Sequence, residues 1–211
     1  MTGAPANWIV PPGPVAPGLR IGLLGGSFNP AHEGHLYVSD VALKRLGLDY
    51  VWWLVSPQNP LKSEQEMASF EDRLASAKTI TCYSPRIRVT DIEVQLGTRY
   101  TIDSVTRLQQ RFPGLHFVWL MGSDNLMTFH RWRNWQDLVR RIPVAIVMRP
   151  GSELASLKAK AAAFLNAFKA ADERRLAVTP PPAFAILDAR RSEASATAIR
   201  ERVLARKAAI C

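Results

Sequence analysis

The sequence predicts an α/β fold in which one doubly wound parallel sheet is covered by helices on both faces. Two observations support this prediction. Short apolar runs alternate along the chain with segments whose apolar residues recur at the helical period. A glycine-rich turn directly follows the first apolar run, where a doubly wound sheet forms its ligand crevice. A length of 211 residues suits one such Rossmann-like domain.

Each element is assigned from its own pattern. The strands are short apolar runs, and the helices are the longer amphipathic segments between them. The strand candidates are 20–24, 50–55, 87–89, 116–121, 144–148 and 183–187. The helix candidates are 34–46, 69–79, 101–111, 125–140 with a break, 153–174 and 197–206. Residues 151–182 are first Ala-rich and then Pro-rich, which indicates a helix and an exposed connector without site chemistry.

Composition sets the domain limits and the setting. Residues 1–18 contain five prolines and three glycines without a basic leader, so we expect a disordered tail before a domain over 19–211. No apolar run approaches the ~20 residues that a membrane span needs, so no membrane partner is expected. Cys82 and Cys211 form no disulfide framework and no metal-binding spacing. A reduced, cytoplasmic setting fits best.

The net charge of +9 suggests anionic partners. Basic residues concentrate in two segments, 131–149 and 190–207. Such charge is compatible with nucleic acid, and it serves equally well for phosphorylated small substrates. Part of it is also expected on solvated surfaces.

The most informative segment is GGSFNPAHEGH, residues 25–35. Gly25 and Gly26 lack a Cβ, which frees the backbone torsions and lets a phosphate approach the main chain. A helix that begins near Gly34 directs free N–H groups and the positive end of its dipole to the same place. His32 and His35, three residues apart, can face the same anion from the first helical turn. The segment therefore predicts a triphosphate site with two histidines that stabilise developing charge.

This segment resembles the T/HxGH signature of the nucleotidyltransferase superfamily. Asn29 stands where members more often have Asp, and it can make the same side-chain contact to a turn without the charge. SATAIR, residues 195–200, is similar to the second signature of the superfamily, ISSTxIR. By itself the second segment is also compatible with an ordinary capped helix. Thr197 and Arg200 suit phosphate oxygens, the first at a helix N-terminus and the second through its planar fork.

Within the superfamily, the chain looks most like the nicotinate-nucleotide enzymes, over roughly residues 19–207. That resemblance implies catalytic residues His32 and His35 and an ATP site at Gly25, Gly26, Ser27, Phe28, His32, His35, Gly122, Asp124, Ser195, Thr197 and Arg200. Asp124 follows the fourth predicted strand and can alternatively be only the cap of the next helix. No residue is expected to bind a metal directly.

The same resemblance implies a site for the acceptor nucleotide. Lys62 resembles a phosphate-holding lysine, Tyr100 and Thr101 resemble a pair that contacts the pyridine ring and its carboxylate, and Trp132 resembles a stacking tryptophan. Arg133 stands where the family has Tyr. Each has a structural alternative: Lys62 as a solvated loop residue, Thr101 as a helix N-cap, and Trp132 as a core residue.

The implied reaction is adenylyl transfer from ATP to nicotinate mononucleotide, giving deamido-NAD and pyrophosphate, with Mg²⁺ on the ATP phosphates. A phosphopantetheine or other mononucleotide adenylyltransferase is the alternative within this class. An RNA-binding module on a synthetase-like core is the alternative outside it, although no nucleic-acid partner is expected. A homo-oligomer is compatible with the sequence.

Overall fold

Six parallel strands form one sheet in the computed structural model, which describes residues 9–57, 67–148 and 160–188. The strands are β1 (Arg20–Gly26), β2 (Tyr50–Val55), β3 (Ile87–Thr90), β4 (His116–Gly122), β5 (Val144–Val147) and β6 (Phe184–Leu187). Their order across the sheet is β3-β2-β1-β4-β5-β6. The order reverses between β1 and β4, and a doubly wound sheet binds its ligands at the carboxyl ends of the strands beside such a reversal.

One or two helices follow each of the first five strands along the chain. They are α1 (Glu33–Arg45), α2 (Phe70–Ile80), α3 (Ile92–Leu96), α4 (Thr101–Arg111), α5 (Ser123–Phe129), α6 (Trp135–Arg141) and α7 (Lys160–Leu165), with 3₁₀ turns at Asn166–Phe168 and Glu173–Val178. None of these helices in the described ranges is long and apolar enough to cross a membrane.

Two apolar clusters cover the two faces of the sheet. Trp52 and Trp53, adjacent in β2 and fully buried, belong to opposite clusters, because successive strand residues point to opposite faces. Helices α1 and α2 contribute to the cluster of Trp53, and helices α3 to α7 contribute to that of Trp52. The predicted Rossmann-like doubly wound sheet is therefore confirmed.

The predicted break within 125–140 is confirmed, because α5 and α6 are separate helices and Asn134 between them adopts a left-handed φ of 49°. Two other elements differ from expectation. Helix α3 was not predicted, because five residues are too few to display a helical period. The predicted helix over 153–174 ends at Leu165 within the described residues, and Lys169 instead bridges to Phe184 beside β6.

Part of the proline-rich N-terminal segment contacts the domain. The backbone N–H of Val10 donates to Oε1 of Gln95 at 2.8 Å, and the N–H of Gly18 donates to the carbonyl of Gly114 at 2.8 Å. Residues 9–18, which were expected to belong to a disordered tail, are thus anchored to the fold. Residues 1–8 lie outside the described residues.

Candidate active site

The two histidines of the glycine-rich segment form the N-terminus of α1. His32 is the N-cap, and its Nδ1 accepts the N–H of Gly34 at 3.1 Å. His35, three residues later, accepts the N–H of His32 on its own Nδ1 at 3.2 Å. This reciprocal pair is a capping box in which imidazoles replace the usual hydroxyl and carboxyl groups. The helix thus begins one residue earlier than predicted.

This capping arrangement fixes the chemistry of both rings. A nitrogen that accepts a hydrogen bond carries no proton, so the proton of each neutral imidazole is on Nε2. Each histidine therefore directs an N–H donor away from the backbone that its Nδ1 caps. The ring centres lie 3.9 Å apart, so the two imidazoles lie side by side at the start of α1.

Aromatic packing behind His35 holds this geometry. Its ring lies 4.7 Å from Phe28 and 5.7 Å from Trp53, and the rings of Phe28 and Trp53 stack at 4.9 Å. Trp53 Nε1 donates to Ser39 Oγ at 2.8 Å, and that hydroxyl donates to the carbonyl of His35 at 2.9 Å. Helix α1 and strand β2 therefore fix the His35 backbone and ring together.

The structure gives a different reason for the glycines Gly25 and Gly26 than the expected freedom of backbone torsions. Neither Gly25 nor Gly26 is among the residues with positive φ, so free torsions are not what requires glycine there. A Cβ on Gly25 would lie 2.5 Å from Cη2 of Trp119, whereas one on Gly26 would meet Phe28 at an ordinary 3.5 Å. Gly25 is therefore needed for the close approach of the Trp119 ring.

Phe28 makes the tight turn instead, with a left-handed φ of 47°. Its side chain is 1% exposed within the core, so only its backbone can reach a nucleotide. Ser27 is also buried. The Asn29 side chain makes a long-range contact, because its Oδ1 accepts the N–H of Ala68 at 3.2 Å.

Gly122 and Asp124 lie at the neighbouring strand end. The parallel register places Leu24 opposite Leu120, which brings the glycine-rich turn beside Gly122. Gly122 is the N-cap of α5, and Asp124 is the second residue of that helix with an exposed side chain. The alternative that Asp124 caps the helix is therefore wrong. Asp124 follows the carboxyl end of β4, and its role at the nucleotide stays a prediction.

The structure brings the two predicted acceptor segments together. The Arg133 guanidinium carbon lies 4.5 Å from the centre of the Tyr100 ring, although 32 residues separate the two in the sequence. Tyr100 is the N-cap of α4, so Thr101 is the first helical residue and the expectation that Thr101 is the N-cap is wrong. A cleft of about 340 Å³ adjoins this contact, and its charged lining residues are Arg99, Asp103, Arg107 and Arg133.

Trp132 connects the acceptor segments to the turn. It is half-buried and packs edge-on against Trp119 at 5.9 Å and against Phe129 at 5.2 Å. Trp119 in turn is the ring that Gly25 accommodates. Trp132 is thus partly a core residue, as the structural alternative held, and it also keeps exposed surface.

Two buried polar residues near these segments were not predicted. Arg73 is 2% exposed and donates four hydrogen bonds to backbone carbonyls. Glu93 is 7% exposed and accepts the Ser104 hydroxyl at 2.7 Å. Burial raises the pKa of Glu93 to about 6, and the Ser104 hydrogen bond partly opposes that rise. A lone charged residue in an amphipathic helix carries no sequence signal of such a role.

Four predicted residues lie outside the described part of the chain: Lys62, Ser195, Thr197 and Arg200. Their roles stay predictions. Within the described ranges, no group of three or more His, Cys, Asp or Glu side chains could hold a metal ion.

A strand, a glycine turn and a histidine-capped helix at the switch point of a parallel sheet are features of nucleotide-binding proteins of the nucleotidyltransferase class. The model of the cytidylyltransferase-like family matches residues 23–202. Among curated relatives, a protein of Parvibaculum lavamentivorans is 54% identical over 89% of this chain and 94% of its own length. One of Methylorubrum extorquens is 50% identical over 87% of this chain and 100% of its own. Both are named "probable nicotinate-nucleotide adenylyltransferase".

Solved structures show the same fold. Plasmodium falciparum nicotinic acid mononucleotide adenylyltransferase complexed with NaAD superposes with a TM-score of 0.61 at 19% identity, over 81% of this chain and 75% of that one. The match to the family model and the identity to the curated relatives extend over most of the chain. The chain therefore belongs to the cytidylyltransferase-like family and, within it, to the nicotinate-nucleotide adenylyltransferases.

Proposed function

We propose that the protein transfers the adenylyl group of ATP to nicotinate mononucleotide, forming deamido-NAD and pyrophosphate in NAD biosynthesis. The observation that carries the proposal is the histidine pair, whose Nδ1 atoms cap α1 and whose neutral rings therefore carry their N–H at Nε2. Relatives with 50% identity or more carry the corresponding name. The acceptor segments meet on the face of the sheet opposite to α1, so two substrates can approach from the two sides of β1.

The proposed mechanism is an in-line displacement. An oxygen of the mononucleotide phosphate attacks the α-phosphorus of ATP while the bond from that phosphorus to the pyrophosphate oxygen breaks. The attacking phosphate is already ionised near neutral pH, so positioning and charge stabilisation supply the rate enhancement. His32 and His35 donate to the oxygens that gain charge, and Thr197 and Arg200 hold the leaving pyrophosphate. No proton needs to be removed in this step.

The other predicted residues have supporting roles. The turn at Gly25, Gly26, Ser27 and Phe28 presents its backbone to the phosphates, and Gly122 and Asp124 border the nucleotide. Lys62, Tyr100, Thr101, Trp132 and Arg133 bind the mononucleotide. Mg²⁺ is proposed to enter bound to the ATP phosphates, because this small ion dehydrates reluctantly and in nucleotide sites it is held largely by phosphates and water. A cytoplasmic location and a homo-oligomer stay predictions.

An acceptor panel tests the proposal. Purified protein is incubated with labelled ATP, Mg²⁺ and one acceptor at a time: nicotinate mononucleotide, nicotinamide mononucleotide or phosphopantetheine. Deamido-NAD and an equal amount of pyrophosphate are expected with the first acceptor. Faster transfer to phosphopantetheine would assign the chain to the alternative enzyme. Absence of transfer to every acceptor, together with salt-dependent RNA binding in a gel shift, would favour the non-enzymatic alternative.

A further inference from the structure

Arg73 lies in α2, outside the glycine-rich turn, and its guanidinium is buried between the segments that border the proposed site. Its Nη1 donates to the carbonyl of Ser27 at 2.6 Å and to that of Ser56 at 2.9 Å. Its Nη2 donates to the carbonyl of Pro57 at 2.9 Å, and its Nε donates to that of Ala68 at 3.1 Å. Four of its five N–H groups are thus used on three separate backbone segments.

These contacts begin where the pairing of the sheet ends. The last hydrogen bond between the first two strands joins the N–H of Ser56 to the carbonyl of Gly26 at 2.9 Å. Beyond that point Arg73 donates to the backbone that follows each strand, through Ser27 on one side and Ser56 and Pro57 on the other. Ala68 is held twice, because its N–H donates to Asn29 and its carbonyl accepts from Arg73.

The contact with Ser27 also orients a peptide group. The Ser27–Phe28 peptide is not among the cis bonds, so its carbonyl and the N–H of Phe28 point in opposite directions. Because the carbonyl is directed at Arg73, the N–H of Phe28 is directed away from it. The phosphate-binding turn thus owes the direction of one of its donors to a residue 46 positions further along the chain.

The surroundings of Arg73 explain why another residue would not suffice. Within the described ranges its guanidinium forms no ion pair with a carboxylate, and Phe70 covers it at 5.5 Å. Burial lowers the pKa of Arg73, and the nearby Glu71 partly offsets this effect. Arginine nevertheless stays protonated in proteins, and its planar fork spans acceptors that a single ammonium cannot reach together.

We propose that Arg73 is a positioning residue for adenylyl transfer, which holds the phosphate-binding turn and the ends of the segments after β2 and before α2 in one fixed arrangement. The expected effect on kcat and KM rests on the proposed function. The positioning role itself depends only on the binding of a nucleotide phosphate by the turn.

Three variants test the role of Arg73: Arg73→Met, Arg73→Lys and, as a matched control, Arg45→Met. Arg45 is a partly buried arginine that pairs with Glu173 at 2.6 Å and donates to the carbonyl of Asp188 at 2.9 Å, away from the turn. Thermal unfolding, the Kd for ATP without acceptor, kcat and both KM values are measured at a temperature where every variant is folded. We expect both Met variants to lose thermal stability.

Only the Arg73 variants are expected to lose ATP affinity and catalytic activity in addition to thermal stability. Arg73→Met should weaken ATP binding about 10-fold or more and lower kcat/KM by roughly 10²-fold, as for the loss of oriented donors in a reactive site. Arg73→Lys should recover only part of this, since its charge is retained but its fork is not. Arg45→Met should stay within about threefold of the unaltered protein, as its contacts are distant from the turn.

Specific outcomes overturn the proposal. Equal kinetic losses in Arg73→Met and Arg45→Met would make Arg73 a structural residue only, and wild-type kinetics in Arg73→Lys would exclude the spanning role. If Arg73→Met does not fold, the same measurements on Arg73→Lys test the positioning role. The Kd for ATP tests the positioning role separately from the proposed function. Absence of adenylyl transfer by the unaltered protein would refute the proposed function. A changed ATP Kd in Arg73→Lys would still support the positioning role of Arg73, and an unchanged ATP Kd would refute it.

Discussion

His32 and His35 each use Nδ1 to accept a backbone N–H, and their ring centres lie 3.9 Å apart. These two hydrogen bonds therefore have two effects. It satisfies the free N–H groups that begin α1, and it fixes which nitrogen of each ring carries a proton. Capping and phosphate binding can be separated by substitutions that preserve one of them.

His32→Asn and His35→Glu make that separation. Asparagine is a preferred N-cap, and glutamate at the third helical position can return a bond to the N-cap, so both variants retain acceptors for the capping N–H groups. Asparagine is too short to place a donor where Nε2 of His32 lies, and an ionised glutamate has no donor. We expect thermal stability near that of the unaltered protein and a kcat about 10²-fold lower, because a donor to developing charge is lost.

Steady-state kinetics and thermal unfolding of both variants check this expectation. The control is His116→Ala, which removes an exposed imidazole at the first residue of β4, at the opposite end of the strand from the site. It should leave kcat unchanged. Normal turnover in a folded His32→Asn protein would reduce His32 to a helix cap.

Gly25 and Gly26 provide a matched pair for the packing of the turn. Gly25→Ala would place a methyl group 2.5 Å from the buried Trp119 ring, whereas Gly26→Ala makes only ordinary contacts. Overpacking of a core typically costs about 1–3 kcal/mol, so Gly25→Ala should lower the free energy of unfolding by that amount. Gly26→Ala should change it by less than about 1 kcal/mol. Urea unfolding of both variants measures the difference, and equal losses would contradict the assignment.

The sequence is sufficient for the features that depend on local patterns. The apolar runs of β1, β2 and β4 and the spacing of His32 and His35 each lie within a few residues, so the sheet and the histidine pair at the start of α1 could be predicted. The requirement for Gly25 was predicted for the wrong reason. The neighbour that excludes a side chain there is Trp119, almost a hundred residues further along the chain.

Other features depend on long-range partners and could not be predicted. Arg73 contacts carbonyls up to 46 positions away, and Arg133 meets Tyr100 only because α4 and the α5–α6 connection lie on the same face of the sheet. Glu93 gives no sequence signal because its burial follows from α3, a helix too short to be recognised by its period. Backbone acceptors in particular leave no trace in the residue types.

Glu93 predicts a dependence of stability on pH. Burial raises its pKa from 4.5 to about 6 in the folded protein. The folded state therefore binds this proton more tightly than the unfolded chain does. The resulting stabilisation is fully present below pH 4.5 and is lost as the pH rises through about 6. A shift of this size corresponds to roughly 2 kcal/mol.

Glu93→Gln isolates this effect. The amide keeps an oxygen for the Ser104 hydroxyl and never ionises, so the variant should be more stable than the unaltered protein at pH 7.5 by about 1–2 kcal/mol. The difference should shrink towards pH 4.5. Urea unfolding at several pH values measures it. Parallel pH profiles for Glu93→Gln and the unaltered protein would contradict the raised pKa.

Arg133 predicts a preference among acceptors. Its guanidinium lies over the Tyr100 ring at 4.5 Å, beside a cleft whose charged lining is mainly basic, with Arg99, Arg107 and Arg133 against Asp103. A carboxylate gains from this positive charge, and a neutral amide does not. We therefore expect nicotinate mononucleotide to exceed nicotinamide mononucleotide at least ~10-fold in kcat/KM, which corresponds to about 1.4 kcal/mol.

Three substitutions resolve how this preference arises. Arg133→Gln should raise the KM for nicotinate mononucleotide and leave that for the nicotinamide form nearly unchanged, so the ratio of kcat/KM falls several-fold. Arg131→Gln, which removes an exposed charge two residues away, should leave the ratio unaltered. Trp132→Ala should raise the KM of both mononucleotides far more than that of ATP, because only the pyridine ring loses a stacking surface. A constant ratio in Arg133→Gln would exclude the guanidinium from acceptor selection, and a Trp132→Ala defect confined to ATP would move the stacking surface to the other substrate.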